Sequence, residues 1–255
     1  MRPAINKITK LFTSFMPFIC LAEIVFLQSQ EYKKTLQQLD RTDYLAIEQK
    51  QKRSLSWQRE SPDLGFSNLK ANWSYLNFVQ YFGDKYARET IGYQLVPDYF
   101  ETISKIDPHF TTAYLNLSVA NSMYTGNPEK TIALLEQILE SVDPKSEQAA
   151  FLWTSKGLDE LLFMGDKEAA INSYQMAAKW QNSTQNLDNL AIKDLAEALE
   201  NINKIDLKSA QIRAWSSVLI HVKDHRQRRE IVNKINDFKA EIVVLKKMAE
   251  ANDHQ

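Results

Sequence analysis

The stretch that decides the fold runs YLNLSVANSMYTGNPEKTIALLEQI from Tyr114 to Ile138, and it returns as WTSKGLDELLFMGDKEAAINSYQMA from Trp153 to Ala177. One offset of 39 residues brings Tyr114 onto Trp153, Ser118 onto Gly157, Gly126 onto Gly165, Leu135 onto Tyr174 and Ile138 onto Ala177. Each copy reads as an aromatic residue, a small residue four positions later, a glycine turn and a second apolar segment at helical spacing. The physical sense is a helical hairpin. A small residue at 118 or 157 lets two helices approach, Gly126 and Gly165 permit a left-handed cap, and Asn127-Pro128 or Asp166 opens the next helix.

Upstream, Leu69 to Phe82 (LKANWSYLNFVQYF) before Gly83 reads as another first helix with Pro97 to Ile106 as its partner, and residues 84–96 between them exceed an ordinary hairpin turn. Downstream, Leu187 to Ile202 and Leu207 to Val222 read as a weaker hairpin. From Lys223 to Ala249 the apolar residues Ile231, Ile235, Phe238, Ile242 and Leu245 fit a long amphipathic helix, which would cap a solenoid whose last hairpin has no neighbour. No stretch alternates with period two. The sequence therefore predicts an all-α fold: irregular helical hairpins over 64–222 and a C-terminal capping helix and tail over 223–255.

This spacing resembles the tetratricopeptide repeat, which carries a Trp-type aromatic, Leu, Gly or Ala, a glycine at the turn, then Ala, an aromatic, Ala and a closing Pro. Trp153, Gly157, Gly165, Ala170, Tyr174 and Ala177 match in the second copy, and Asp107-Pro108 and Asp143-Pro144 supply closing prolines. Departures are clear: the period exceeds the usual value of about 34, the turn carries an extra residue, and Asn121 replaces the expected Tyr. An irregular, tetratricopeptide-like solenoid is what the resemblance implies. The segment Gly65 to Asp84 (GFSNLKANWSYLNFVQYFGD) is also similar to tetratricopeptide-like membrane proteins of cyanobacteria, which implies a thylakoid or plasma-membrane setting and brings no known activity.

Composition agrees with a helical scaffold. The chain has 255 residues, 44% hydrophobic, enough for a packed core, while 6 Gly and 7 Pro are too few for a turn-rich β-sandwich. Lys and Arg total 31 against 32 acidic residues, so no global field advertises a nucleic-acid partner. Cys20 stands alone, excluding an internal disulfide or a cysteine-based zinc cluster.

Residues 1–30 read as a signal anchor or transmembrane helix. Arg2, Lys7 and Lys10 precede Leu11 to Leu27 (LFTSFMPFICLAEIVFL), seventeen residues that would span roughly 26 Å as a helix, slightly short of a hydrocarbon core of about 30 Å. The basic residues favour a cytoplasmic N-terminus and an extracytoplasmic domain, in periplasm or thylakoid lumen. Two competing readings are a signal peptide cut after Ala22, releasing an exported soluble binding protein, and an amphipathic helix built on Ile8, Leu11, Phe12, Phe15, Phe18 and Ile19. Residues 31–63, rich in Gln, Lys and Glu, read as a polar helical stalk or linker ending at Ser61-Pro62-Asp63.

No phosphate-binding glycine loop, nucleophile elbow or spaced Cys/His set is present, so no catalytic residue, metal or cofactor is expected. His221 and His225 are the sharpest exception: an i, i+4 pair puts two imidazoles on one helix face, as a metal-dependent enzyme would need, although Val222-Lys223-Asp224 between them lacks a glutamate and a helix break there would destroy the geometry. Lys223, Arg226, Arg228 and Arg229 interleave with Asp224 and Glu230 and read as a solvated face. Glu136, Glu140 and Asp143 read as the outer face of an amphipathic helix. The expected function is a non-catalytic, membrane-tethered adaptor that binds a protein or peptide and no nucleic acid. In related repeats the first helix of each hairpin lines the concave surface, so the resemblance places partner contacts at Asn72, Asn77, Phe78, Tyr81, Asn116, Val119, Met123, Leu158 and Leu161. The competing reading of these side chains is interhelical core or cover by the C-terminal helix. The set lacks the Lys/Arg/Asn arrangement with which some tetratricopeptide proteins clamp a chaperone's C-terminal carboxylate.

Overall fold

The computed structural model describes residues 16, 19–29, 39–62, 65–181 and 188–252, and every regular element among them is a helix. By contact the chain divides into two units, Met1–Tyr44 and Leu45–Gln255.

In the first unit, residues 19–29 form helix α1, whose apolar side chains Ile19, Leu21, Ile24, Val25, Phe26 and Leu27 are all exposed. Most of the expected anchor, residues 1–15 with 17 and 18, lies outside the described residues. Among those described, no helix is long and apolar enough to cross a membrane. Helix α2 (Arg41–Glu60) opens on a reciprocal cap: the Asp43 amide donates to Asp40 Oδ1 at 2.9 Å, and the Asp40 amide donates to Asp43 Oδ2 at 3.1 Å. Two otherwise orphaned amides are satisfied this way.

The second unit begins within α2, and here the expectation of a solvated stalk is corrected. Glu48, Leu55 and Gln58 are buried. Leu55 joins the main apolar cluster, while Ser74 donates to Gln58 at 2.7 Å and Tyr81 donates to Glu48 at 2.6 Å. A polar sequence packs because its two buried polar side chains, Glu48 and Gln58, meet partners on helix α3 (Ser67–Gly83). The long connection after α3 holds a short helix α4 (Lys85–Ile91), capped by Asp84 accepting from the Ala87 amide at 3.1 Å. Helix α5 (Val96–Ile106) then packs on α3, with the Phe78 and Phe100 rings 4.7 Å apart.

The two repeat copies follow. Helix α6 (Thr111–Tyr114) leads into a π-helical segment, Ser118–Met123, and helix α7 (Pro128–Leu139). Helix α8 (Glu147–Asp159) runs into a second π-helical segment, Glu160–Met164, and helix α9 (Lys167–Gln181). The turns superpose in register. The Asn127 amide donates to Asn121 O at 3.2 Å and the Asp166 amide to Glu160 O at 2.9 Å, while Gly126 and Gly165 hold φ of 69° and 72°. These six-residue closures around a left-handed glycine satisfy carbonyls that a helix end leaves orphaned. Each copy widens to π geometry before its turn, which takes up part of the extra chain in the longer period. Tyr114 and Trp153 both pack on the main cluster, with different polish: Tyr114 is buried and donates to Asp107 O at 2.6 Å, whereas half-buried Trp153 stands edge-on to Trp180 at 5.6 Å.

Helix α10 (Asp188–Glu200) packs on α9. Helix α11 (Lys204–His221) lies against both π segments, and helix α12 (His225–Asn252) packs on α11. The C-terminal helix packs on α11, the second helix of the expected last hairpin, while α10 covers α9 and the α11–α12 pair closes over the two glycine turns. Trp215 donates to Phe163 O at 3.4 Å, and Gln227 donates to Thr125 O at 2.6 Å. A Cβ at Gly126 would lie 3.0 Å from Val218 Cγ1, and one at Gly165 would lie 2.6 Å from Gln211 Nε2.

The close approach expected at Gly157 is present. A Cβ there would meet Ala170 O and Ser173 Cβ at 3.2 Å and Tyr174 Cε2 at 3.3 Å. Gly157→Leu is expected to lower unfolding free energy by at least about 2 kcal/mol through overpacking, whereas Glu140→Ala at the exposed end of α7 should stay within about 0.5 kcal/mol. Urea denaturation of both variants checks the helix register; equal midpoints would contradict it.

Candidate functional site

Of the nine residues placed on a binding surface by the sequence, three are core. Phe78, Tyr81 and Leu161 are buried. Phe78 packs on Phe100, Tyr81 stacks near Tyr99 at 5.3 Å, and Leu161 joins Tyr174 and Leu199 in the α9–α10 cluster. Helical spacing alone could not separate the α3 side that meets α5 from the opposite side. Asn77 is half-buried; Asn72, Asn116, Val119, Met123 and Leu158 are exposed.

The structure brings part of this set together. A cleft of about 290 Å³ opens between α3 and the first π segment, lined by Tyr75, Phe78, Val79, Phe82, Gly83, Asn116, Val119 and Ala120. Phe78 and Ala120 form its floor, while Val79 and Val119 stand exposed at the rim. Asn116 donates to Tyr75 Oη at 3.0 Å, so one polar pair spans an otherwise apolar opening. Asn72, Met123 and Leu158 do not line it. Val79 and Phe82 escaped the sequence reading, although Tyr75, Val79 and Phe82 follow one another at i, i+4 and i+7 on α3. The cleft offers no proton donor and acceptor pair suited to acid–base work. Its surface suits an apolar side chain of a partner.

A buried polar seam joins the two repeats. Ser118 Oγ donates to Asp159 Oδ1 at 2.9 Å and Ser122 Oγ to Asp159 Oδ2 at 2.7 Å, while Asn121 Nδ2 donates to Thr131 Oγ1 at 3.0 Å. One turn away, Lys156 pairs with Glu160, Ser173 donates to Glu160 Oε2 at 2.6 Å, and Glu136 reaches Lys156 at 3.3 Å. Glu136, read as a plain outer-face carboxylate, thus supports a buried lysine. Burial pushes the Asp159 carboxyl up to about 7, against the lowering effect of the two serine hydroxyls and with help from the nearby Glu160 charge. At 1% exposure Asp159 meets no solvent-borne substrate, so the seam reads as structural. The adjacent acids in Gly157-Leu158-Asp159-Glu160-Leu161 were the available signal, because two carboxylates inside an apolar run require buried partners.

A second buried cluster, Glu48, Tyr81 and Arg88, ties α2 to α3 and α4. Arg88 lies 3.3 Å from Glu48, donates to the Gly92 carbonyl, and stacks its guanidinium 3.6 Å from the Tyr81 ring centre.

The histidine pair fails geometrically. Val222 to Asp224 break the helix between α11 and α12, so His221 and His225 do not share a face, and His221 instead stacks on Tyr124 at 3.9 Å. Among the described residues no group of His, Cys, Asp and Glu could hold a metal ion. Within the basic cluster, Arg226 pairs with Glu230 at 3.1 Å, and Arg228 donates to Val222 O at 2.9 Å beside the end of α11. Comparison with protein-family models, curated proteins and solved structures returns no match.

The raised Asp159 carboxyl gives a signed prediction. The unfolded group titrates near pH 4 and the folded one near 7, so the native state holds the proton more tightly between those values. Stability from this group is whole below about pH 4 and is lost as pH rises through about 7. In urea denaturation across that window, the stability of the wild type relative to Asp159→Asn should fall with rising pH; a constant difference would contradict the assignment.

Proposed function

We propose that this chain is a non-catalytic, membrane-tethered scaffold built as an irregular tetratricopeptide-like solenoid, and that it binds an amphipathic helix or extended peptide of a protein partner. The observation that carries the reading is the apolar cleft between α3 and the first π segment, with Val79 and Val119 exposed at its rim. An apolar opening with a single polar pair favours side-chain insertion over chemistry. The in-register turns at Gly126 and Gly165 support the repeat reading.

Membrane attachment is supported by the exposed apolar side chains of α1 and by the basic residues Arg2, Lys7 and Lys10 before it. Tethering confines the scaffold near membrane partners, so a modest affinity suffices.

Two measurements test this. Under carbonate extraction the chain should stay with membranes, and release to the soluble fraction with loss of residues 1–22 would replace the anchor with a cleaved export signal. A photo-crosslinker at Val119 should capture one discrete partner, and Val79→Glu should reduce its yield at least tenfold without changing the thermal midpoint. Unchanged capture in Val79→Glu would reject the cleft.

A further inference from the structure

The outer face of the α2–α3 pair is a second exposed surface that neither the cleft nor the seam uses. The two helices run antiparallel, since Gln58 meets Ser74 while Glu48 meets Tyr81. In an antiparallel pair the residues just before the facing positions turn to the same side, so Trp57 and Trp73 share one face. The other side, reached through Arg59 and Phe78, carries α5. Trp57 is 71% and Trp73 60% exposed. Phe66, Leu69 and Leu76 extend Trp73 into a stripe at i, i+3, i+7 and i+10, and all are exposed.

Two bases stand on this face. Lys50, Arg53 and Trp57 follow at i, i+3 and i+7 on α2, and both bases are exposed. Each acid of α2 has a partner: Asp43 in the helix cap, Glu48 with Arg88 in the core, and Glu60, on the same row as Arg53 and Trp57, with Lys105 of α5 at 3.3 Å. Helix α3 contains no acidic residue. Tryptophans beside aliphatic side chains, edged by Lys and Arg, match the interfacial zone of a bilayer with anionic headgroups: the indoles sit at the headgroup level and the bases meet phosphate. A protein groove would need acids to answer those bases and would leave the indoles no aqueous boundary to straddle.

We infer that the face formed by Trp57, Trp73, Phe66, Leu69, Lys50 and Arg53 docks on an anionic membrane surface. The inference rests on the membrane-attachment reading for its tether alone: residues 30–40, at most about 40 Å of chain, separate α1 from α2, so an anchored chain always keeps α2 within reach of headgroups. Docking then orients the scaffold relative to the bilayer, where an anchor alone would only confine it.

The test uses the full chain with phosphatidylcholine vesicles, with and without phosphatidylglycerol, doped with a lipid brominated near the headgroup. All 5 tryptophans lie at or beyond Trp57, so indole quenching is blind to the anchor, while carbonate-resistant flotation reports the anchor. Strong quenching is expected with phosphatidylglycerol, reduced at least twofold in the Trp57→Phe/Trp73→Phe double variant and at least threefold in Lys50→Glu/Arg53→Glu, with circular dichroism unchanged. Quenching without carbonate-resistant flotation supports the face and rejects the anchor. Flotation without quenching, or equal quenching in the Trp57→Phe/Trp73→Phe variant, overturns the face and leaves the anchor standing. Shielding of these indoles from acrylamide that grows with protein concentration and not with vesicles would assign the face to a second copy of the chain, again overturning the proposal.

Discussion

Asp159 reaches from the end of α8 into the first repeat and takes both of its hydrogen bonds from serines there, Ser118 and Ser122. A carboxyl buried to this depth loses hydration worth several kcal/mol, and only closely placed donors offset the loss. The two copies must therefore sit in one relative position, since sliding one helix along the other would strand the acid. Thr131, Asn121 and Ser122 extend the same seam into α7, and the Lys156–Glu160–Ser173 group continues it into α9. Apolar packing around Leu135, Ile138 and Leu152 supplies the bulk of the burial but would tolerate small shifts. Polar partners fix the register, in the way buried polar groups specify alignment in other helical assemblies.

From that register the remaining features follow. With α8 and α9 pressed together at Gly157, the two glycine turns come to one edge, and α11 lies along that edge against both π segments. Its Trp215 and Val218, with Ile231 and Ile235 of α12, form a separate apolar cluster there. The turn edge is thereby covered, while the side of α3 toward the first π segment stays open as the cleft. One helix, α3, thus has three duties: it packs on α5 through Phe78, lines the cleft through Val79 and Phe82, and presents Trp73 outward beside Trp57 of α2.

Much of this was legible in the residues. The 39-residue repeat located both turns, because glycine at a left-handed position and a helix-opening Asn-Pro or Asp leave few alternatives. Gly157 announced a close approach by its size. What stayed hidden was hidden for physical reasons. Residues 45–60 read as a solvated stalk since Glu48 and Gln58 are polar, and their burial depends on Tyr81, Arg88 and Ser74, which are far off in sequence. The long amphipathic period of α12 pointed to the preceding hairpin, whose α11 it meets, but not to the Gly126 turn that Gln227 and Ile231 also reach. Periodicity also placed Phe78 and Tyr81 beside Asn77 on one helix, and only the position of α5 decided which side became core.

The serine–carboxylate contact between repeats is measured most directly by a double-mutant cycle on Ser118→Ala and Asp159→Ala. Ser118 bonds Asp159 and sits in no catalytic or binding role, so the two substitutions probe one interaction. The structure requires a coupling free energy of about 1 kcal/mol or more by urea denaturation. Strictly additive effects would show that the two repeats are aligned by something other than this seam.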